Sequence, residues 1–573
     1  MKHFNILCRL TAAAAAIFLA SSVQSCSDDL LDQLQPDRFN PENLLVDKAG
    51  FETIIYSLHR YAREEIIKDQ VGDMATGTDI AASGVSDGRF FNDYSLLTPE
   101  TNAPVRHYWK WAYVDIIANA NMVIDRAENE NIKWTEEEKN AIVGEAKFFR
   151  AYAYNVLANL WGGVPIVEHE QKKPVFDFKR NTRTEVLDFA RKDLEFAAEW
   201  LPCVDENPEH EGRIFKAAAC HLLAEVYISL GVATGNEAYF KKAVSYASMV
   251  IDGECGEYHL MKERFGDLSR EGDYYSDLFW TGQQSRASGN REAIWVVQFE
   301  YGFGAAGGEG RNEDLRWWGP KLNNITFPDG KQVVFGDSLF NMHGGVRPTN
   351  HVLYEVWDDP HDMRISKYNF RTRFYVNNPD SKYHLQEIRK YQKPDGLWYF
   401  LDADNNKTDA LVDTVRAFFP YFRKIEGTRW TGVNNDRTYN DKYRMRLSET
   451  YLLRAEAYYH LGKLNYAAKD INEVRERAQT YPISASQVTL DFILDERIRE
   501  LIVEEQRRRT LARLGVFFER TERYNTRVEN LQPYNQWWPI PQNVIDANYG
   551  AKIEQNPGYA GGPAYDSSNI CLQ

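Results

Sequence analysis

Six aromatic side chains stand close together in a stretch rich in glycine and asparagine: Tyr274, Tyr275, Trp280, Tyr301, Trp317 and Trp318. Rings in turn-rich segments belong to a core less often than rings on a helical stripe, and functional residues concentrate on loops. A flat ring covers a flat patch of C–H groups well, combining apolar burial with weak electrostatic attraction. Asp, Asn and Arg supply directed hydrogen bonds to hydroxyl groups. Together these are the tools for holding a polyhydroxylated ring such as a sugar, and plain packing is the alternative for each ring taken alone. Trp317 and Trp318 rank above Trp280, because adjacent rings in a non-helical stretch do not readily both point into one core. Aromatic residues make up 13% of the 573 residues, more than packing usually needs.

Other spacings imitate chemistry without supporting it. Gly302, Gly304 and Gly307 spell the dinucleotide-type GxGxxG after the strand-like run Ala293 to Phe299. The next residues are a polar, glycine-broken loop and not the helix whose N-terminus would receive a phosphate. Asp402, Asp404, Asn406 and Asp413 partly copy a calcium loop, but Lys407 occupies the position that needs glycine and Ala410 offers no ligand. A polar hairpin turn fits them better. No HExxH helix occurs, and Cys203, Cys220, Cys255 and Cys571 lack the short spacing of a structural zinc site. They read as buried or incidental thiols. No cofactor and no metal is implied. A formal charge of −15 makes the chain a poor binder of phosphate backbones, which argues against nucleic acid.

The N-terminus carries a different chemistry. Lys2 and Arg9 precede the apolar run Leu10 to Ala20, too short to cross a bilayer and of the form of a secretory signal. Val23-Gln24-Ser25-Cys26 looks like a bacterial lipobox, in which Cys26 becomes the lipidated first residue of the mature chain. A signal-peptidase I site with an incidental Cys26 is the alternative. Several acyl chains hold stably where one is marginal. Ser27-Asp28-Asp29 resembles an acidic surface-export tag.

Two helical blocks must position these groups. Tyr108 to Ala127 repeats apolar residues at helical spacing. Thr135 with Glu138 forms a capping box that opens the next helix, and Gly162, Gly163 and Pro165 end it. Val186 to Leu201, Phe215 to Leu230 and Tyr239 to Ile251 continue as amphipathic helices. From Gly253 to Gly432 short β-like runs such as Ala293 to Phe299 and Leu397 to Leu401 alternate with turns. Helical periodicity resumes at Tyr443 and runs to Gly515. An internal repeat ties the blocks together: Ala224-Glu225, Tyr227 and Leu230-Gly231 recur with identical spacing as Ala455-Glu456, Tyr458 and Leu461-Gly462. Small Ala, an aromatic and a helix-ending Gly match the first helix of a tetratricopeptide unit.

Three motifs then resemble one family. Glu145-Ala-Lys-Phe-Phe-Arg150 leading to Leu160-Trp-Gly-Gly-Val-Pro165, Leu494-Asp-Glu-Arg497 with Arg499-Glu-Leu501, Glu504, Arg507, Leu511, Arg513 and Gly515, and the tail Pro539-Ile-Pro-Gln542, Ile545 to Asn548 and Gln555 to Tyr559 are similar, in order, to the SusD/RagB family. Glu505, Arg508 and Thr510 depart from that family's usual Gly, aromatic and Asp.

The resemblance implies a mostly α fold. About four tetratricopeptide-like helix pairs would pack against a loop-rich region with short strands, as one domain over residues 26–573 after a signal at 1–25. Its parts would be a helical 26–252, an irregular 253–432 and a helical 433–573. It further implies a lipid-anchored outer-membrane protein facing the exterior, which captures glycan for a SusC-like TonB-dependent transporter and is not an enzyme. In the family the early loop and the middle region build the sugar site. That adds Asp79, Arg89, Trp109 and Trp111 to the candidates, Trp111 being expected to be the more exposed of the two Trp. A tetratricopeptide adaptor for a protein segment and a surface glycosidase stay open as alternatives, since carboxylate separation is not legible in sequence.

Overall fold

The computed structural model describes residues 41–566 apart from 69–71, 86–90, 101–102, 207–210, 301–311, 337–340, 403 and 429–436. Cys26, Arg89, Cys571 and the GxGxxG run therefore lie outside the described residues.

Helices dominate: α1 (Lys48–Lys68), α2 (Ala103–Lys110), α3 (Ala118–Arg126), α4 (Glu136–Leu160), α5 (Arg183–Trp200), α6 (Lys216–Thr234) and α7 (Glu237–Ile251) come first. The expected capping box is present, with Thr135 Oγ1 accepting from the Glu138 amide and the Glu138 carboxylate accepting from the Thr135 amide. Thr182 and Glu185 repeat the device at α5, so two orphan donors are satisfied at each start. The helical run expected over Tyr108 to Ala127 is real but more widely coiled at its centre, where Trp111–Ile117 forms a π-helical segment between α2 and α3.

Residues 252–446 then leave the helical array. They hold β1's partner and most of the other short strands: β1 (Ala81–Ser83) pairs antiparallel with β3 (Val346–Pro348), and β4 (Arg389–Gln392), β5 (Trp398–Leu401) and β6 (Lys407–Leu411) form a meander. The would-be calcium loop is the β5–β6 turn, its Asp402 carboxylate accepting from the Asp404 and Asn406 amides at 3.0 and 2.7 Å. Helical periodicity does not resume at Tyr443. Lys442–Arg446 is β7, paired with β2 (Ala293–Val297), and its alternating burial overrides the helical reading. After a short α8 (Asp314–Trp318), the array continues with α9 (Leu447–His460), α10 (Leu464–Arg477), α11 (Leu490–Leu501), α12 (Arg507–Arg513), α13 (Phe517–Tyr524) and α14 (Gln542–Ala547).

Successive helices pack on one another from α4 through α7, and α7 packs on α9, so the array closes across the excursion. The repeated sequences are the neighbouring pairs α6–α7 and α9–α10. Their glycines do different jobs. Gly462 ends α9 in the left-handed conformation, φ +68°, whereas Gly231 lies inside α6, which runs on to Gly235. A Cβ at Gly231 would stand 2.5 Å from Phe240 Cε1, so there the missing side chain lets α7 approach. α6 is apolar and long enough to cross a bilayer, and it is buried inside this array.

The three sequence motifs turn out to be joints. In α11, Glu496 and Glu500 are fully buried among arginines: Glu496 takes Arg364 at 2.7 Å and Arg475 at 2.9 Å, and Glu500 takes Arg364 at 3.1 Å together with Arg446 and Arg477. Glu292 binds Arg446 at 2.7 Å and Arg477 at 3.0 Å. Buried charges are tolerated only when paired, so this lattice fixes α11 to α10, β7 and the middle region at once. The departures from the family pattern are also occupied. Glu505 pairs with Arg497 and Arg507. The Arg508 guanidinium lies 4.1 Å from the Phe91 ring centroid and donates to Asp73 O, Thr76 O and Tyr94 Oη. The tail meets the first motif through Asn556, whose side-chain amide donates to Trp161 O at 2.9 Å and Trp538 O at 2.7 Å.

Candidate functional site

The early loop and the middle region do meet. β1 runs from Ala81 opposite Pro348 to Ser83 opposite Val346, and the Gly84 amide donates to Gly345 O at 3.0 Å. α8 is laid across this ribbon. Its Trp318 points inward, 6% exposed, into an apolar cluster with Leu315, Met342 and Val346. Its neighbour Trp317 is half-buried, and its six-membered ring rests on Gly345, where a Cβ would lie 2.3 Å from Cε3. Only glycine permits that approach. The Trp317 Nε1–H donates to Glu313 Oε2 at 3.1 Å, and Arg437 donates to Glu313 Oε1 at 2.8 Å. The Arg316 guanidinium stands 5.1 Å from the ring and the His343 ring 6.1 Å. The result is a positioned aromatic surface with cationic, carboxylate and imidazole groups around it. This corrects the sequence reading in one respect: α8 is helical, so adjacent rings point in different directions and only Trp317 stays accessible.

Trp280 is the other half-buried candidate, with the Arg270 guanidinium 3.2 Å from its ring centroid. One face of that ring is therefore covered by a cation. The remaining described candidates are structural. Trp111 was expected on the surface and is 1% exposed, its Nε1–H donating to Tyr61 O at 2.8 Å. It is buried because the π-helical segment it opens faces the helical core, where Tyr108 and Tyr152 meet its ring edge-on. Trp109 packs against Tyr113 and Trp161. Tyr275 is 1% exposed, its hydroxyl donating to Glu500 O at 2.9 Å beside the ion lattice.

Asp79 is fully buried. It accepts from Arg507 Nε and Nη2 at 2.9 and 2.6 Å and from Arg520 Nε at 2.8 Å. Burial pushes its carboxyl up, but the charges and hydrogen bonds of Arg507 and Arg520 outweigh that and hold it well below the usual range. It is a strut under β1 with no free oxygen for a hydroxyl, and its polarity alone could not reveal this.

Sequence reading passed over two cavities. One, of about 590 Å³, is lined by Tyr56, Arg60, Arg213, Trp295 and Gln298 among others. Tyr56 is 53% exposed, and the Arg213 guanidinium lies 5.3 Å from its ring centroid. Behind it Glu145 takes His59 at 2.7 Å and Arg213 at 2.5 Å. Burial raises the Glu145 carboxyl, and those two partners bring it down to about 2. The other, of about 710 Å³, is an apolar cleft between the π-helical segment, residues 165–178 and α14. On α1, Tyr56 sits among polar neighbours, a faint signal that could have marked it; the cleft joins distant segments and had none.

A mostly helical scaffold thus carries a half-buried indole on the short helix α8, laid over the β1–β3 ribbon with charged groups around it. Family models match two parts of the chain: starch-binding associating with outer membrane over residues 31–228, and the SusD family over 354–559. The chain belongs to the SusD/RagB family. It is 25% identical to the starch-binding protein SusD of Bacteroides thetaiotaomicron over 82% of this chain and 81% of that one. A crystal structure of a SusD homologue from Bacteroides thetaiotaomicron superposes with a TM-score of 0.66 at 18% identity, covering 93% of this chain and all of the other. A laminarin-binding SusD-like protein superposes with a TM-score of 0.62 at 20% identity, covering 89% and 99%.

Proposed function

We propose that this chain is a lipid-anchored glycan-binding protein of the outer membrane. It captures an oligo- or polysaccharide at the outer face and passes it to a SusC-like TonB-dependent transporter, making and breaking no bond. Residues 26–573 act as one unit, with Cys26 carrying the lipid. The observation that carries the reading is Trp317: a half-exposed indole seated on Gly345, with its N–H satisfied by Glu313 and cations beside it. That geometry suits stacking on the C–H face of a sugar while charged groups take its hydroxyls. Membership of a family containing a starch-binding and a laminarin-binding protein supports the same ligand class. Trp280 and Arg89 are secondary candidates.

The test is a glycan array, or retardation in polysaccharide gels, with the soluble chain from Ser27 and its Trp317→Ala variant. Binding by the first and its loss in the second is expected; new reducing ends would instead indicate turnover and overturn the reading. For anchoring, Cys26→Ala releases the protein or leaves the signal attached, and membrane retention like wild type counts against lipidation. For partnership, extraction from native outer membranes in mild detergent brings down a β-barrel transporter; repeated recovery of a lone monomer argues the other way.

A further inference from the structure

Two thiols face each other in the first repeated helix pair. Cys220 in α6 and Cys255, just beyond α7, are both fully buried, and the Cys255 thiol points at Cys220 Sγ from 3.6 Å. With Cys203, they are the free thiols among the described residues. Cys203 is half-buried and turned elsewhere, its Sγ–H donating to Glu254 O at 3.6 Å.

We propose that Cys220 and Cys255 are a disulfide-forming pair that staples α6 to the turn after α7, closed by thiol–disulfide exchange with a protein or small-molecule disulfide. The proposal draws on the export reading only for where the bond forms, because disulfides persist in compartments outside the cytosol. The sulfurs need to approach by about 1.5 Å to reach bonding distance. Cys255 sits where that movement is easiest, in a turn between Gly253 at φ +84° and Gly256 at φ +110°, outside any helix. The link would span 35 residues, a separation at which closing the chain restricts the unfolded state substantially.

The pair is also set up for the exchange. Cys255, in the turn outside any helix, is the sulfur that meets the external disulfide and loses its proton first. Its thiolate opens the external disulfide, forming a mixed disulfide and releasing one thiolate. Cys220 then loses its proton and attacks Cys255 Sγ, expelling the second thiolate. Two protein thiols are oxidised and one external disulfide is reduced to two thiols. Full burial of both sulfurs places this step before the turn settles onto α6 and shields the finished bond from reductants. The second copy of the repeat has no equivalent: Tyr451 stands where Cys220 stands in the first, at the same offset as the other matched residues.

The soluble chain from Ser27, refolded in a buffer of reduced and oxidised glutathione, is denatured and alkylated, then mapped by mass spectrometry. The alkylated cysteines should fall from four to two, with one cross-linked peptide joining Cys220 to Cys255 and reversed by reductant. The thermal midpoint should be several degrees lower for chain refolded in reductant than for chain refolded in the glutathione buffer, and a Cys220→Ala/Cys255→Ala double variant should lose that difference. A Cys203→Ala variant should still form the bond. Four alkylated cysteines under oxidising conditions, or a cross-link to Cys203 or Cys571 in place of this one, overturns the proposal. Because the assay uses purified protein, failure of surface export leaves it unaffected.

Discussion

Asp79→Asn separates a structural carboxylate from a ligand group. Asp79, Arg507 and Arg520 are at most 2% exposed, and the carboxylate accepts from both guanidiniums. Breaking a buried pair by removing one partner costs about 3–5 kcal/mol, because it strands a charge. Here the stranded cations keep other partners: Arg507 has Glu505 at 3.1 Å, and Arg520 has Asp491 at 2.7 Å and Asp495 at 2.6 Å. Asn also keeps the volume and one acceptor oxygen. The expected loss is therefore near the lower end, about 3 kcal/mol, read as a lower urea midpoint by tryptophan fluorescence. The folded-state carboxyl is depressed, so its stabilisation is complete above the unfolded value near pH 4 and fades only as pH falls through the lower folded value. The gap between wild type and variant should accordingly persist at pH 5 to 7 and close only in strong acid. Calorimetry at low denaturant should find glycan affinity changed little. An unchanged urea midpoint with affinity lost more than tenfold would mean that Asp79 touches the ligand, and the strut argument would fail.

Trp317→Ala should weaken glycan binding roughly tenfold, since a stacked ring contributes about 1–1.5 kcal/mol beyond area and about 1.4 kcal/mol is one decade, while the thermal melt stays close to wild type. Gly345→Ala should imitate it without removing the ring, because the new methyl group would stand 2.3 Å from Trp317 Cε3 and must displace it; unchanged affinity would exclude that ring position. Trp111→Ala should lose about 3–5 kcal/mol of stability with no selective change in affinity, measured by urea unfolding beside calorimetry. Glu145 is held to about 2 by its hydrogen bonds and charge contacts with half-buried His59 and Arg213, and Glu496 to about 2 by buried arginines, in each case outweighing desolvation. Both contributions are in place above pH 4.5 and are lost as pH falls toward 2, so Glu145→Gln should flatten that part of the stability–pH profile.

Periodicity made helices such as α5 and α7 legible because each buries one apolar stripe, the continuous apolar run of α6 marked a helix buried nearly all round, and Thr135 with Glu138 announced a boundary that needs no tertiary context. The strand Lys442–Arg446 was not legible as one. Its pattern continues into α9 without a break in hydrophobicity, and only pairing with Ala293–Val297, some 150 residues earlier, decides its conformation. The site divided in the same way. That the middle region holds rings outside the helical core was readable from composition and turns. Which ring of Trp317 and Trp318 stays accessible depends on α8 lying across the β1–β3 ribbon, a contact between segments about 230 residues apart that no local pattern encodes. Asp79 and Tyr275 misled for a related reason: a polar group in a loop looks available until its buried partner, Arg507 or the Glu500 carbonyl, is placed beside it.

The placement of the ion lattice bears on how such a protein can change its ligand. Glu292, Arg364, Arg446, Arg475, Arg477, Glu496 and Glu500 join the excursion to the helical array through buried pairs. Removal of any one strands another, so these positions are held together as a set. Trp317 stands outside that lattice, on α8, which Trp318 and Leu315 anchor from beneath and Asp314 ties to Lys442 at 2.8 Å. The rim of Glu313, Arg316 and His343 can then be exchanged without touching the lattice. A scaffold of this kind separates what keeps the excursion in place from the accessible ring surface proposed to meet the glycan, and changes of specificity should collect around Trp317 and be absent from α11.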